Sequence, residues 1–175
     1  LGKNLFFDPR LSGSGQISCA SCHDPDLAFA DGRTVSFGHE RKSLKRNSPS
    51  ILNTAFNRTL FWDGRAASLE AQAAGPLFAA NEMASTPDQV QRTLGGNAEY
   101  RRLFAQAFRR SASAPISIEE VTTALAAFET SLISLNSRFD RYAHGDERAL
   151  NDSEVRGWNS FRSFVGRCAQ CHVPP

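Results

Sequence analysis

All four cysteines of this chain lie in two copies of one five-residue pattern, Cys19-Ala20-Ser21-Cys22-His23 and Cys168-Ala169-Gln170-Cys171-His172. Cys-x-x-Cys-His is the attachment signature of c-type haem. The chemistry sets the spacing. Two thiols add to the two vinyl groups on one porphyrin edge, and the adjoining His turns its imidazole to the iron. Other uses of paired cysteines fit less well. A zinc site joins two knuckles about 15–20 residues apart. Here 145 residues separate Cys22 from Cys168, and each knuckle carries its own His. A thioredoxin-like pair needs one motif beside a βαβ pattern, and none is visible. Disulfides within each pair would leave both His unexplained. Two covalently bound haem c groups are therefore expected, with His23 and His172 as iron ligands. Such attachment occurs outside the bacterial inner membrane, which predicts a periplasmic location for a Gram-negative source.

The remaining sequence narrows the class. A length of 175 residues leaves room for one domain or two small ones. Hydrophobic content of 41% and charged content of 22% are ordinary globular values, which argues against disorder and fibrous structure. A net charge of +2 without a polybasic tract gives no push toward nucleic acid. No apolar run approaches the roughly 20 residues that span a bilayer. Leu1 is not an initiator Met, no leader segment precedes it, and Val173-Pro174-Pro175 follows the second motif at once. Both ends are read as truncated, the C-terminal one severely, because a haem needs more chain to cover it.

Helix signals dominate. Thr86-Pro87-Asp88-Gln89 is a capping box with Pro at the first helical position, opening a helix to about Leu94 that Gly95-Gly96 ends. Asn97 caps a second helix through Phe108, with Tyr100, Leu103, Phe104 and Phe108 on its apolar stripe. Ser117-Ile118-Glu119-Glu120 opens the strongest helix, to about Ser134, with Val121, Leu125, Phe128 and Leu132 at helical spacing. A last helix is expected from about Ser153 to Val165, capped by Asp152, with Val155, Trp158, Phe161 and Val165 apolar. The first 65 residues are rich in Gly, Pro, Ser and Asn and read as loops that depend on haem for their core. Ser137 to Asn151 reads as a polar connector. The fold class reads as all-α, with a domain boundary near Leu135 and two haem motifs that hint at a duplicated plan.

With these residues in view, the chain resembles the bacterial di-haem cytochrome c peroxidase family, which includes the MauG-like enzymes. The resemblance covers all 175 residues. It is carried by LGKNLFFDPRLS before the first motif, FADGR at Phe29 to Arg33, RNSPSILN at Arg46 to Asn53 and FWDGR at Phe61 to Arg65. SLEAQAAGPL at Ser68 to Leu77, NEM at Asn81 to Met83, and SRFDRYAHGDERALNDSEVRGW before the second motif complete it. The resemblance implies two all-α, cytochrome c-like haem domains, residues 1–134 and residues 135–175, the second cut short after its haem motif, with a peroxide-reducing N-terminal haem and a C-terminal haem that receives electrons from a small donor protein, a monohaem cytochrome c or a cupredoxin. It also implies one calcium ion, with Asn47 as a contributor, and a homodimer as a frequent assembly.

The same resemblance assigns candidate roles. His39, in the loop Phe37-Gly38-His39-Glu40-Arg41, matches the distal iron ligand that leaves when the other haem is reduced. Neutral imidazole binds iron and imidazolium does not, which suits a departing ligand. Glu82 matches the acid–base that moves a proton between the peroxide oxygens, a task favoured when burial raises its pKa. Gln72 matches the donor that orients peroxide, and Trp62 an electron relay between the haems. Asp63 and Arg65 are expected to hold the loop or a haem propionate. Met83, the single Met, adjoins Glu82 and is not assigned to the second haem, whose distal ligand is expected beyond Pro175.

Three functions compete. The first is reduction of hydrogen peroxide to water. The second is MauG-like oxidation of Tyr or Trp on a partner protein. The third is a non-catalytic di-haem electron carrier. His39 favours the first over the second, and Glu82 with Gln72 argues against the third.

Overall fold

A computed structural model describes residues 1–172. Val173 to Pro175, the end read as truncated, lie outside the described residues. Seven α-helices account for nearly all regular structure among the described residues, joined by short 3-10 turns and three isolated β-bridges. The chain is all-α. No helix among these residues is long and apolar enough to cross a membrane.

The chain forms two compact units, Leu1–Ile133 and a second beginning at Ser134. The first opens with α1 (Gly2–Phe6) and then runs through 3-10 turns until α2 (Leu69–Phe78). Helices α3 (Pro87–Gly95), α4 (Ala98–Phe108) and α5 (Ile118–Thr130) follow. Their starts are dictated locally. Thr86 accepts from the Gln89 N–H at 3.2 Å, and Asn97 accepts from the N–H groups of Glu99 and Tyr100 at 2.9 and 3.1 Å. Ser117 and Glu120 cap each other's backbone at 3.1 and 2.9 Å. Each cap satisfies N–H groups that have no partner in the first helical turn, worth about 1 kcal/mol.

Helix α5 is the centre of the first unit, with α1 and α2 packed on it. Gly2 permits the α1 approach: a Cβ there would sit 1.9 Å from the Ala124 carbonyl oxygen. Phe6, Leu77, Leu94, Phe104, Val121 and Leu125 are almost fully buried in one cluster, each contributing about 1.5–3 kcal/mol of apolar burial.

Several boundaries differ from the sequence reading. Helix α5 ends at Thr130 rather than Ser134. The Ser131 hydroxyl bonds back to the Phe128 carbonyl at 2.6 Å, and the Leu132 carbonyl is drawn out to the Asn53 N–H at 2.9 Å. Helices α1 and α2 are not among the elements that the sequence signals mark; α2 carries Gly75 and Pro76, both of low helix propensity, within it. The connector Ser137–Asn151 contains α6 (Arg138–Ala143), opened by a reciprocal Ser137–Asp140 cap.

The second unit also holds α7 (Asp152–Arg162), capped by Asn151 rather than Asp152, because the Asn151 side-chain oxygen Oδ1 accepts from the Glu154 N–H at 3.0 Å. This helix stops before Val165, which is 93% exposed and outside the apolar stripe. Arg138 grips Glu154 through both guanidinium nitrogens at 2.6 and 2.5 Å and donates to the Ala149 carbonyl at 2.9 Å. Trp158 lies between Phe139 and Phe161, with ring centroids 4.8 and 5.8 Å away.

Candidate haem site

Both Cys-x-x-Cys-His motifs adopt the same turn. The His23 N–H donates to the Cys19 carbonyl at 2.9 Å, and the His172 N–H donates to the Cys168 carbonyl at 2.9 Å. The turn carries two thiols and an imidazole on one short stretch of chain, as attachment to one porphyrin edge demands. The surroundings differ. Cys168, Cys171 and His172 are all exposed, whereas Cys19, Cys22 and His23 are half-buried.

The first motif is built into its loop. Ala28 and Phe29 are both left-handed, at φ 54° and 57°, closing an Asp24–Ala30 bridge. That reversal aims the Phe29 carbonyl at His23 Nδ1, 3.0 Å away. The bond leaves Nε2 as the nitrogen for iron and orients the ring. Burial pushes the His23 imidazole pKa below its usual value, outweighing the opposing effect of the Phe29 and Pro49 carbonyls and Asp31. Burial thus favours the neutral ring, the form that binds a metal. Phe6 packs beside it at a centroid distance of 6.5 Å and also touches Phe29 and Phe128.

In front of His23 a cavity of about 540 Å³ opens, lined also by Gln72, Glu82 and Glu129, with Lys45, Arg46 and Arg65 among its cations. This is the size and mixed character of a cofactor site. Helix α2 supplies Gln72; the turn after it supplies Glu82. Burial raises the Glu82 carboxyl pKa, and the Arg65 guanidinium opposes it only in part. Arg65 stacks on the Phe61 ring at 3.5 Å and binds Asp63 at 2.8 and 2.9 Å, while Arg46 reaches the same carboxylate at 3.4 Å. Asp63 thus gathers two of the cavity's cations. The donor set fits a haem: a covalent anchor, a neutral imidazole, an apolar-walled space and cations suited to propionates.

His39 lies on a separate loop, and its side chain is not among those lining the cavity. Its backbone N–H donates to the carbonyls of Glu82 at 2.8 Å and Asn81 at 3.3 Å. Its Nδ1 is buried without a partner, and its Nε2 lies 3.9 Å from Glu40. A buried imidazole nitrogen left unpaired is a cost the native fold normally avoids. Trp62 is 60% exposed, and its indole N–H donates to the Asn47 carbonyl at 3.1 Å. Among the described residues no cluster of three or more His, Cys, Asp or Glu could hold a metal ion. Met83 is 6% exposed in the core of the first unit.

Two residues of this site escaped sequence reasoning. Asp31 is buried and ties the loop together. It accepts from the Ser36 hydroxyl and from the N–H groups of Arg33 at 3.1 Å and Ser48 at 3.4 Å. Glu129 is buried on α5, four residues after Leu125. A charged residue at a core-facing helical position was the available signal.

Comparison with known proteins bears on this geometry. The profile of the family described as di-haem cytochrome c peroxidase matches residues 1–148. The chain belongs to the di-haem cytochrome c peroxidase family. It is 43% identical over 175 residues to the cytochrome c551 peroxidase of Nitrosomonas europaea, covering all of this chain and 51% of that protein. It is 46% identical over 172 residues to the methylamine utilization protein MauG of Methylorubrum extorquens, covering 98% of this chain and 48% of that protein. The crystal structure of a MauG-like protein associated with microbial copper homeostasis superposes with a TM-score of 0.90 at 39% identity, covering 98% of this chain and 50% of the other. This family member therefore spans about half the length of the relatives it matches. Family membership carries haem as its cofactor class, and the residues around the cavity before His23 fit that group.

Proposed function

We propose that the protein containing this chain reduces hydrogen peroxide to water at the haem held by Cys19, Cys22 and His23. The observation that carries the proposal is Glu82, a carboxyl with a burial-raised pKa in the cavity that His23 lines. The haem, when bound, supplies the electrons and the binding position for peroxide. Glu82 accepts the proton from one peroxide oxygen and returns it to the departing oxygen. Its raised pKa narrows the gap between holding and releasing that proton. Gln72 orients the peroxide by hydrogen bonding, and His39 is the ligand that yields the site. Overall, one H₂O₂, two electrons and two protons give two waters. Family relatives named cytochrome c peroxidase support the reading.

Within the same proposal, Cys168, Cys171 and His172 anchor the electron-entry haem of a second domain. Trp62 relays electrons, a small cytochrome or cupredoxin delivers them, Asn47 contributes to a calcium site, and the protein works in the periplasm, as a homodimer.

Relatives named MauG, at 46% identity, favour a second reading in which stored oxidising equivalents modify Tyr or Trp on a partner. The distal ligand of the second haem separates the two, Met for the peroxidase and Tyr for the modifying enzyme. A pure electron carrier has no use for a half-buried acid–base in the cavity.

Glu82→Gln in the complete haem-loaded protein tests the proposal. Peroxide turnover is expected to fall about 10²–10⁴-fold with both haem spectra unchanged. Retained turnover rejects the assignment.

A further inference from the structure

Glu129 on α5 is 7% exposed and lines the cavity that His23 lines. No hydrogen bond or ion pair reaches its carboxylate among the described residues. The elements packed most closely on α5 are α1, α2, α3 and the turn Thr54–Phe56. Their charged groups are Lys3, Glu70, Asp88 and Arg92, and only Glu70 acts on Glu129. None of the cavity's cations compensates it. Burial first, and Glu70 second, push the Glu129 carboxyl up to about 7. Its charge is felt in turn by the Cys19 thiol, which burial and then Glu129 push up to about 12. Once Cys19 is a thioether, its sulfur belongs to the porphyrin edge. Glu129 then lies within electrostatic reach of the ring. His23 feels no such effect from it.

We propose that Glu129, an unpartnered carboxyl in the haem cavity, couples reduction of the first haem to proton uptake. Reduction adds one electron to ferric iron and makes the site more negative. The Glu129 carboxylate then takes one proton from solvent and becomes a neutral carboxyl; reoxidation releases it. In the enzyme the electron comes from the donor, and in the test it comes from an electrode. Glu70, exposed on α2, sets the pH range by repulsion without touching the haem. The inference rests on the reading that Cys19, Cys22 and His23 hold a haem.

Spectroelectrochemical titration of the first haem in the complete haem-loaded protein tests it, in a Glu82→Gln background that removes the other cavity carboxyl with a raised pKa; the third, Asp63, is held low by the hydrogen bond from Arg65. As pH rises through about 7, the reduction equilibrium constant is expected to fall several-fold per pH unit. The limit is about tenfold, for one proton per electron. Adding Glu129→Gln flattens that dependence. Glu70→Gln instead moves it to lower pH, because the repulsion holding the proton on Glu129 is gone. An unchanged dependence in Glu129→Gln protein with its haem attached overturns the inference. If Glu129→Gln does not mature, Glu70→Gln decides, and an unmoved pH range overturns it. Absence of thioether-bound haem in the unsubstituted protein, by haem stain and mass, would instead overturn the reading beneath.

Discussion

The backbone N–H of His39 donates to the backbone carbonyl of Glu82 at 2.8 Å. The residue proposed to yield the peroxide site and the residue proposed to work in it are therefore docked directly on each other. The contact is possible because Gly38 has no side chain. A Cβ there would lie 2.0 Å from the Asn81 carbonyl oxygen. Glu40 and Arg41, both left-handed at φ 55° and 58°, then turn the loop back. Such conformations persist only where surrounding contacts hold them.

Gly38→Ala is expected to lift the His39 loop off the Glu82 turn. Peroxide turnover should drop, and the resting spectrum of the first haem should change, while the second haem is unaffected. The stability cost should be about 1–3 kcal/mol, as for other overpacked sites. Optical spectra of the two haems with urea unfolding check it.

The pH profile of turnover should report Glu82. As the proton acceptor it must be ionised, and burial raises its pKa with Arg65 opposing. Activity should therefore fade on acidification at a higher pH than an ordinary Glu, near 4.3, would give. Arg65→Gln removes the opposing charge, so its acid limb should move to still higher pH. Measuring kcat/KM against pH in both proteins decides; an acid limb that stays put would contradict the electrostatic link.

Asp31 should set the acid stability of the haem loop. Burial by itself would raise its pKa, but hydrogen bonds from Ser36, Arg33 and Ser48 and the charge of Arg33 prevail and lower it. A carboxylate with a depressed folded-state pKa stabilises fully above its unfolded value, about 3.9, and the benefit is lost as pH falls through the folded value. Asp31→Asn should cost about 1.5–3 kcal/mol at neutral pH. The difference between variant and parent should shrink in strong acid. Denaturation midpoints at both pH values measure it.

Tyr100→Phe probes the other buried carboxylate. The Tyr100 hydroxyl donates to Asp8 at 2.7 Å, and Arg10 grips the same carboxylate at 2.6 to 3.1 Å. Removing the hydroxyl should destabilise the first unit by about 1.5–3 kcal/mol. The haem spectrum should stay intact, because this cluster tethers α4 to the turn after α1 and is not part of the cavity lining. Thermal unfolding followed at the haem band gives the answer.

What the chain determines by itself is local. Cysteine spacing is a matter of a few bonds, so the haem turns at Cys19–His23 and Cys168–His172 are written in five residues each. Helix starts at Thr86, Asn97 and Ser117 are equally local, since a cap reaches only three residues ahead. Where local signals conflict, sequence reasoning fails: Gly75-Pro76 hides α2, and the bond between Asn53 and Leu132 shortens α5. The electrostatics of the site belong to the tertiary structure alone. Whether Glu82, Glu129 or Asp31 holds a proton depends on which residues, tens of positions away, exclude water or present a donor. Only the folded chain brings α5, α2 and the His23 loop around one cavity, and desolvation there is a property of that enclosure rather than of any stretch of sequence.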